Sequence, residues 1–151
     1  MIKKIGLGLI VLLAVLQIIP SNKPEVKTNN PDDLLITYAV PEDIGQVLKV
    51  SCYDCHSNQT NYPWYSYVAP VSFLVAQDVR KGRKHLNFSE WNSLSKLNKL
   101  DKLDDINEAV EGNEMPMGIY TAIHTKAKLT VEQKNRVLSW TDEFGETIFD
   151  E

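Results

Sequence analysis

The sequence predicts an all-α fold: one small helical domain with long loops, preceded by an N-terminal signal or anchor helix. Three observations carry this expectation. Apolar residues recur at helical spacing along most of the chain after residue 40. No sustained alternation of apolar and polar residues and no Asn-Gly turn announces a sheet. A stretch from Ile5 to Ile19, apolar except for Gly6, Gly8 and Gln17, is cut off from the rest by Pro20-Ser21-Asn22-Lys23. The 151 residues suit one domain, and 43% hydrophobic with 24% charged residues is the balance of a packed protein rather than a disordered one.

The first element follows the short basic start Met1-Ile2-Lys3-Lys4, and its polar exit completes the layout of an export signal. As a helix this run is only ~22 Å long, against roughly 30 Å for a bilayer's hydrocarbon core. Ala14 is followed by Val15, Leu16 and Gln17, so no clean small-x-small cleavage site precedes the exit, and both a cleaved peptide and a retained anchor stay open. With Lys3 and Lys4 inside, the remainder lies outside, which predicts a periplasmic domain tethered to the inner membrane. Residues 1–20 are thus read as signal or anchor, 21–33 as a flexible tether marked by Pro24 and Pro31, and 34–151 as the folded domain. Without residues 1–19, which hold two lysines and no acid, 14 basic and 20 acidic side chains remain, a charge of -6. That sign excludes broad nucleic-acid binding, which needs a basic face.

Pro41-Glu42-Asp43 opens the next helix, with Ile44, Val47 and Leu48 on one side, and it runs into Ser51-Cys52. Val71–Lys81 reads as another, with Arg80 and Lys81 near its end and Gly82 as the residue after the cap. Ser89-Glu90-Trp91 opens a third, with Trp91, Leu94 and Leu97 in register; Leu103, Ile106, Ala109 and Val110 mark a fourth, stopped by Gly112. Thr130 and Gln133 form a capping box before Val137, Leu138 and Trp140. The charges between Lys96 and Asp105 read as a solvated helix face.

The chemistry sits at Cys52-Tyr53-Asp54-Cys55-His56, the C-x-x-C-H signature of c-type haem attachment. Two thiols three positions apart on one turn can each add to one haem vinyl group, and the adjacent histidine stands under the iron as proximal ligand. Attachment of this kind takes place outside the cytoplasm, in agreement with the N-terminal signal and with a need for haem-attachment machinery. A structural disulfide, a thioredoxin-like pair and a zinc site completed by His85 or His124 are the competing readings. For the sixth iron position the leading candidate is Met115, in the loop Glu114-Met115-Pro116-Met117-Gly118, with Met117, His124, His85 or an open face as alternatives. His124 is otherwise expected to bond backbone or a carboxylate.

These residues, with Asn61-Tyr62-Pro63-Trp64-Tyr65, Pro70-Val71-Ser72, Gly82-Arg83, Leu86-Asn87-Phe88-Ser89-Glu90-Trp91, Tyr120, His124 and Ala127-Lys128-Leu129, resemble a family of small exported haem-binding domains over roughly residues 40 to 145. The resemblance implies a cytochrome c-like, membrane-tethered monohaem domain with haem c on Cys52 and Cys55, His56 as a metal ligand and Met115 as the second. The expected function is electron transfer with an unidentified redox partner protein and no enzymatic activity. The alternative is an open-site haem protein, a gas or redox sensor or a peroxidase-like enzyme. The aromatic group Tyr62, Trp64, Tyr65, Tyr67 and Phe73 reads either as a haem-packing wall or as core filling. Arg80-Lys81-Gly82-Arg83-Lys84-His85 reads as a cation-dressed helix end, or else as a patch for haem propionates or an acidic partner.

Overall fold

The computed structural model describes residues 2–150, and among these it contains helices and no strand. The chain is all-helical. Its first helix, α1 (Ile2–Leu16), is apolar from Ile5 onward, and its residues 3–15 are exposed. Among the described residues no helix is long and apolar enough to cross a membrane. Just after α1, Gln17 clamps the backbone of Ala69, donating to its carbonyl at 3.1 Å and accepting from its N–H at 3.0 Å.

Residues 20–33, with three prolines, form no helix, turn at Asn22 and at 31–32, and are strapped to the body. Arg80 donates to the Ser21 and Asn22 carbonyls, Arg83 to Glu25 at 2.8 Å, and the Tyr62 hydroxyl to Pro24 at 2.9 Å. The Lys27 N–H reaches the Asn58 carbonyl at 2.8 Å. Lys23 places its ammonium 3.0 Å from the centre of the Tyr67 ring. Carbonyls with no helical partner are thus satisfied by the cations of a neighbouring helix. The cluster at 80–85, read as a helix end or a patch for propionates, spends its two arginines on this strap.

Buried Asp33 N-caps α2 (Leu34–Thr37). Helix α3 (Glu42–Ser51) follows Pro41 and leads directly into α4 (Tyr53–His56). After a 3₁₀ turn, Trp64–Tyr67, comes α5 (Val71–His85). This helix outruns its expected end, because Gly82 lies inside it rather than after its cap. The third expected helix is instead a kinked 3₁₀ segment, Phe88–Ser93, with Trp91 buried and Leu94 already extended. Ser95 then caps a separate helix, α6 (Lys96–Glu111), by accepting from the Asn98 N–H, and so Leu97 points to solvent. Short α7 (Gly118–Ile123) and a 3₁₀ turn, Thr125–Ala127, precede α8 (Val131–Asp150), which the capping box at Thr130 and Gln133 opens as expected.

Helices α6 and α8 run antiparallel: Lys96 meets Phe149, Asn107 meets Thr141 and Asp142, and Lys134 meets the α6 end at Glu111. Between them and α3 lies a core of Ile44, Leu48, Leu103, Ile106, Val110, Val137, Trp140, Phe144 and Ile148. Burying each large apolar side chain stabilises the fold by about 1.5–3 kcal/mol. Lys99 departs from the solvated face expected of α6: it is buried, with its ammonium donating to the Tyr38 hydroxyl at 2.9 Å. An aromatic chain continues the core to α4, from Phe144 through Trp91 and Phe88 to Tyr53, with successive ring centres 5.2–6.4 Å apart. The motif is therefore mounted on the rigid part of the molecule.

Candidate haem site

The C-x-x-C-H turn is held by its two intervening residues. The Tyr53 hydroxyl donates to Asp33 at 2.8 Å, and the same carboxylate accepts from the Leu35 N–H, the Gln59 amide and the Ser89 hydroxyl, each at 3.0 Å. One buried acid thus ties together α2, α4, the segment after the motif and the Phe88–Ser93 turn. Asp54 accepts from the Asn61 N–H at 3.0 Å and from the Tyr120 hydroxyl at 2.7 Å. Neither role was readable from the sequence, because the positions between the cysteines carry no rule of their own.

Cys52 and Cys55 are free and half-buried. Burial pushes the Cys52 thiol up to about 12, with Cys55 adding to it, and burial pushes Cys55 up to about 11, helped by Asp54 and Asp78. A thioredoxin-like pair needs a thiolate stabilised near neutral pH, so these thiols are arranged the opposite way. Among the described residues no group of three or more His, Cys, Asp and Glu side chains is placed to hold a metal ion, which leaves the zinc reading without a ligand set.

His56 Nδ1 lies 3.1 Å from the Leu86 carbonyl. A carbonyl only accepts, so Nδ1 carries the proton and the Nε2 lone pair is left to bind a metal. Burial lowers the His56 pKa, outweighing the Leu86 and Gly82 carbonyls that favour the charged form, and exposed His85 also lowers it. Helix α5 reaches this site by a backbone contact. A Cβ at Gly82 would stand 2.5 Å from the Cys55 carbonyl oxygen, so only glycine lets α5 approach the motif this closely. Free thiols, a histidine with one nitrogen committed and a glycine-lined approach on one turn fit the demands of haem.

A family profile for a haem-binding domain matches residues 11–143. The chain belongs to the haem-binding domain family. Cytochrome c peroxidase Ccp of Escherichia coli (strain K12) is 25% identical to this haem-binding domain over 100 residues, 64% of the chain and 22% of that protein. The chain thus spans less than a quarter of the relative's length. No solved structure matches.

The loop that carries Met115 is anchored to α6, where the Glu114 and Met115 N–H groups both donate to the Ala109 carbonyl, at 2.9 and 3.1 Å. The Met115 side chain is 37% exposed. Met117 caps α7, its carbonyl accepting from the Tyr120 and Thr121 N–H groups at 3.0 Å. His124 departs from the expected backbone or carboxylate partner: its Nε2 meets the Tyr65 hydroxyl at 2.5 Å, and its ring stacks on Tyr120 with centres 4.4 Å apart. Burial raises the pKa of Tyr120 and of Tyr65, and Asp54 raises both further. A cavity of about 580 Å³ opens beside Tyr53, Asp54, Asn61, Tyr120 and His124. The two thiols and His56 do not line it, so it lies on the Asp54 side of the motif. Of the expected aromatic wall, Trp64 is 78% exposed, while Tyr62 and Tyr65 are half-buried and engaged by hydrogen bonds.

Proposed function

We propose that this haem-binding domain is a monohaem c-type, cytochrome c-like electron carrier, with thioether bonds to Cys52 and Cys55 and axial ligation by His56 and Met115. One observation carries the reading: within the C-x-x-C-H turn the His56 Nδ1–H is committed to the Leu86 carbonyl, which presents Nε2 as a ligand in a single tautomer. When bound, the haem supplies an iron that alternates between ferrous and ferric states. The chain's part is to hold it. Cys52 and Cys55 fix the macrocycle, Tyr53 and Asp54 hold the turn through Asp33 and Tyr120, and Met115 offers a soft sulfur that favours the reduced iron. With His56 and Met115 both bound, the iron would have no vacancy for substrate, so the reading includes no enzymatic activity.

In this reading α1 directs the chain to the periplasm and, if retained, tethers it to the inner membrane. Haem-attachment machinery acts there, and a redox partner protein exchanges the electron. Intact mass of the exported protein checks both parts: it exceeds the polypeptide by one haem, and it reports whether α1 is still present. A mass equal to the amino acids alone would falsify the covalent reading. The likeness to a cytochrome c peroxidase favours a second reading, an open-site haem protein acting as a sensor or peroxidase-like enzyme. Optical spectra separate the two. The carrier has a reduced low-spin spectrum that ignores carbon monoxide and a sulfur-to-iron band that Met115→Ala abolishes. Ready carbon monoxide binding by the parent at neutral pH would favour the open site.

A further inference from the structure

Helix α7 follows the methionine loop directly, yet it buries none of its residues. Apolar packing therefore does not fix its position. Beside the Thr125–Ala127 turn, which packs on α3, two polar contacts do, one from its middle and one from its C-cap. The Tyr120 hydroxyl donates to Asp54 inside the C-x-x-C-H motif, and His124, the C-cap residue of α7, meets the Tyr65 hydroxyl in the 3₁₀ turn that follows the motif. The Asp54 carboxylate is itself fixed by the Asn61 N–H, and the Tyr120 ring lies nearly parallel to His124, 18° from its plane. The segment from Gly112 to His124 is thus pinned at one end to α6 through Ala109 and at the other end to the motif.

The geometry points to Tyr120–Asp54 and His124–Tyr65 as a latch that holds the Met115 loop in place and so sets occupancy of the sixth iron position. This rests on Met115 being that ligand. With the latch broken, the loop stays joined to α6 on one side and, beyond α7, only to the Thr125–Ala127 turn that packs on α3, and the thioether leaves the iron more often. These four are positioning residues: their effect reaches the iron through the loop they hold.

The test uses the full-length holoprotein. Tyr120→Phe removes one hydroxyl and keeps the ring that stacks on His124; Tyr65→Phe removes the other. Each hydroxyl lost is expected to speed carbon monoxide binding to the ferrous protein by roughly tenfold and to weaken the sulfur-to-iron band of the ferric protein. Asp54→Asn keeps one oxygen for the Asn61 N–H and turns its amide N–H to the Tyr120 hydroxyl, and so retains most of the band, whereas Asp54→Ala loses it. A role confined to general stability would lower the unfolding temperature without changing either ligand signal at 25 °C.

Parental band intensity and carbon monoxide kinetics in both tyrosine variants would overturn the latch, provided Met115→Ala abolishes the band. If Met115→Ala leaves the band untouched, the methionine reading has failed and the latch falls with it. Should one tyrosine variant not accept haem, the other still decides, since each alters one hydroxyl.

Discussion

Protonated thiols are the resting state of Cys52 and Cys55 in the free chain, because burial opposes the thiolate before any neighbouring charge is considered. The sign follows: folding raises both values above the ordinary 9.0, so the fold favours the proton and thiolate appears only as pH climbs towards about 11 for Cys55 and about 12 for Cys52. In chain made without haem-attachment machinery, alkylation by iodoacetamide at pH 9 should run roughly fifty-fold slower than in urea, and the gap should close towards pH 11. Equal rates at pH 9 would mean that the haem-free thiols are not held as described. At this scale the grouping of the two cysteines with His56 was legible because all three fall within five consecutive residues, which one short turn brings together. Asp33 was not. Its partners Tyr53, Gln59 and Ser89 lie 20, 26 and 56 positions away, and no local pattern marks a buried acid as their common acceptor. For His124 the sequence offered an iron ligand or a partner in backbone or carboxylate, and not Tyr65, because that hydrogen bond spans 59 positions.

Among the elements, α5 shows how a helix stop signal can be overruled. Gly82 after two cations has the form of a C-terminus, yet the helix continues to His85 because Gly82 is needed for contact with α4. Gly82→Ala would place a methyl group 2.5 Å from the Cys55 carbonyl oxygen, against backbone that cannot swing aside. The expected cost is about 1–3 kcal/mol, or a fall of ~2–4 °C in Tm for each kcal/mol, despite alanine's better helix propensity. The displaced α5 should also weaken the Leu86 contact to His56 and alter haem ligation. A variant of equal or higher Tm with an unchanged spectrum would refute the close approach. Periodicity succeeded where helices pack on the core, as in α3, α6 and α8. It failed at Phe88–Ser93, where Trp91 is buried by stacking on Phe88 and Phe144 rather than by a helical stripe. It had nothing to read in α7, which has no buried face.

For the whole molecule, the stretch between α1 and Asp33 decides how the haem domain relates to the N-terminal helix. Composition argues for a free tether, since Pro24, Pro31 and polar neighbours cannot build a packed element by themselves. Tertiary partners supply what the segment lacks: Arg80 and Arg83 from α5, Tyr62 from the segment after the motif, and the Asn58 carbonyl. Arg83 is central, bridging the Glu25 carbonyl and the Thr60 hydroxyl, the latter at 3.0 Å. Truncating it to alanine removes two hydrogen bonds from a charged donor, one to the exposed Glu25 carbonyl and one to the part-buried Thr60 hydroxyl. We expect a loss of about 2 kcal/mol, seen as a fall of about 4–8 °C in Tm. Hydrogen exchange gives the sharper reading. The Lys27 amide, which donates to Asn58, should exchange faster in Arg83→Ala, while amides in the α6–α8 hairpin keep their protection relative to the global stability. Arg83→Lys keeps the charge but not the two-pronged reach, and so should behave like alanine at Lys27. If Lys27 already exchanges at the unprotected rate in the parent protein, the segment is a loose tether in solution and α1 does not orient the domain.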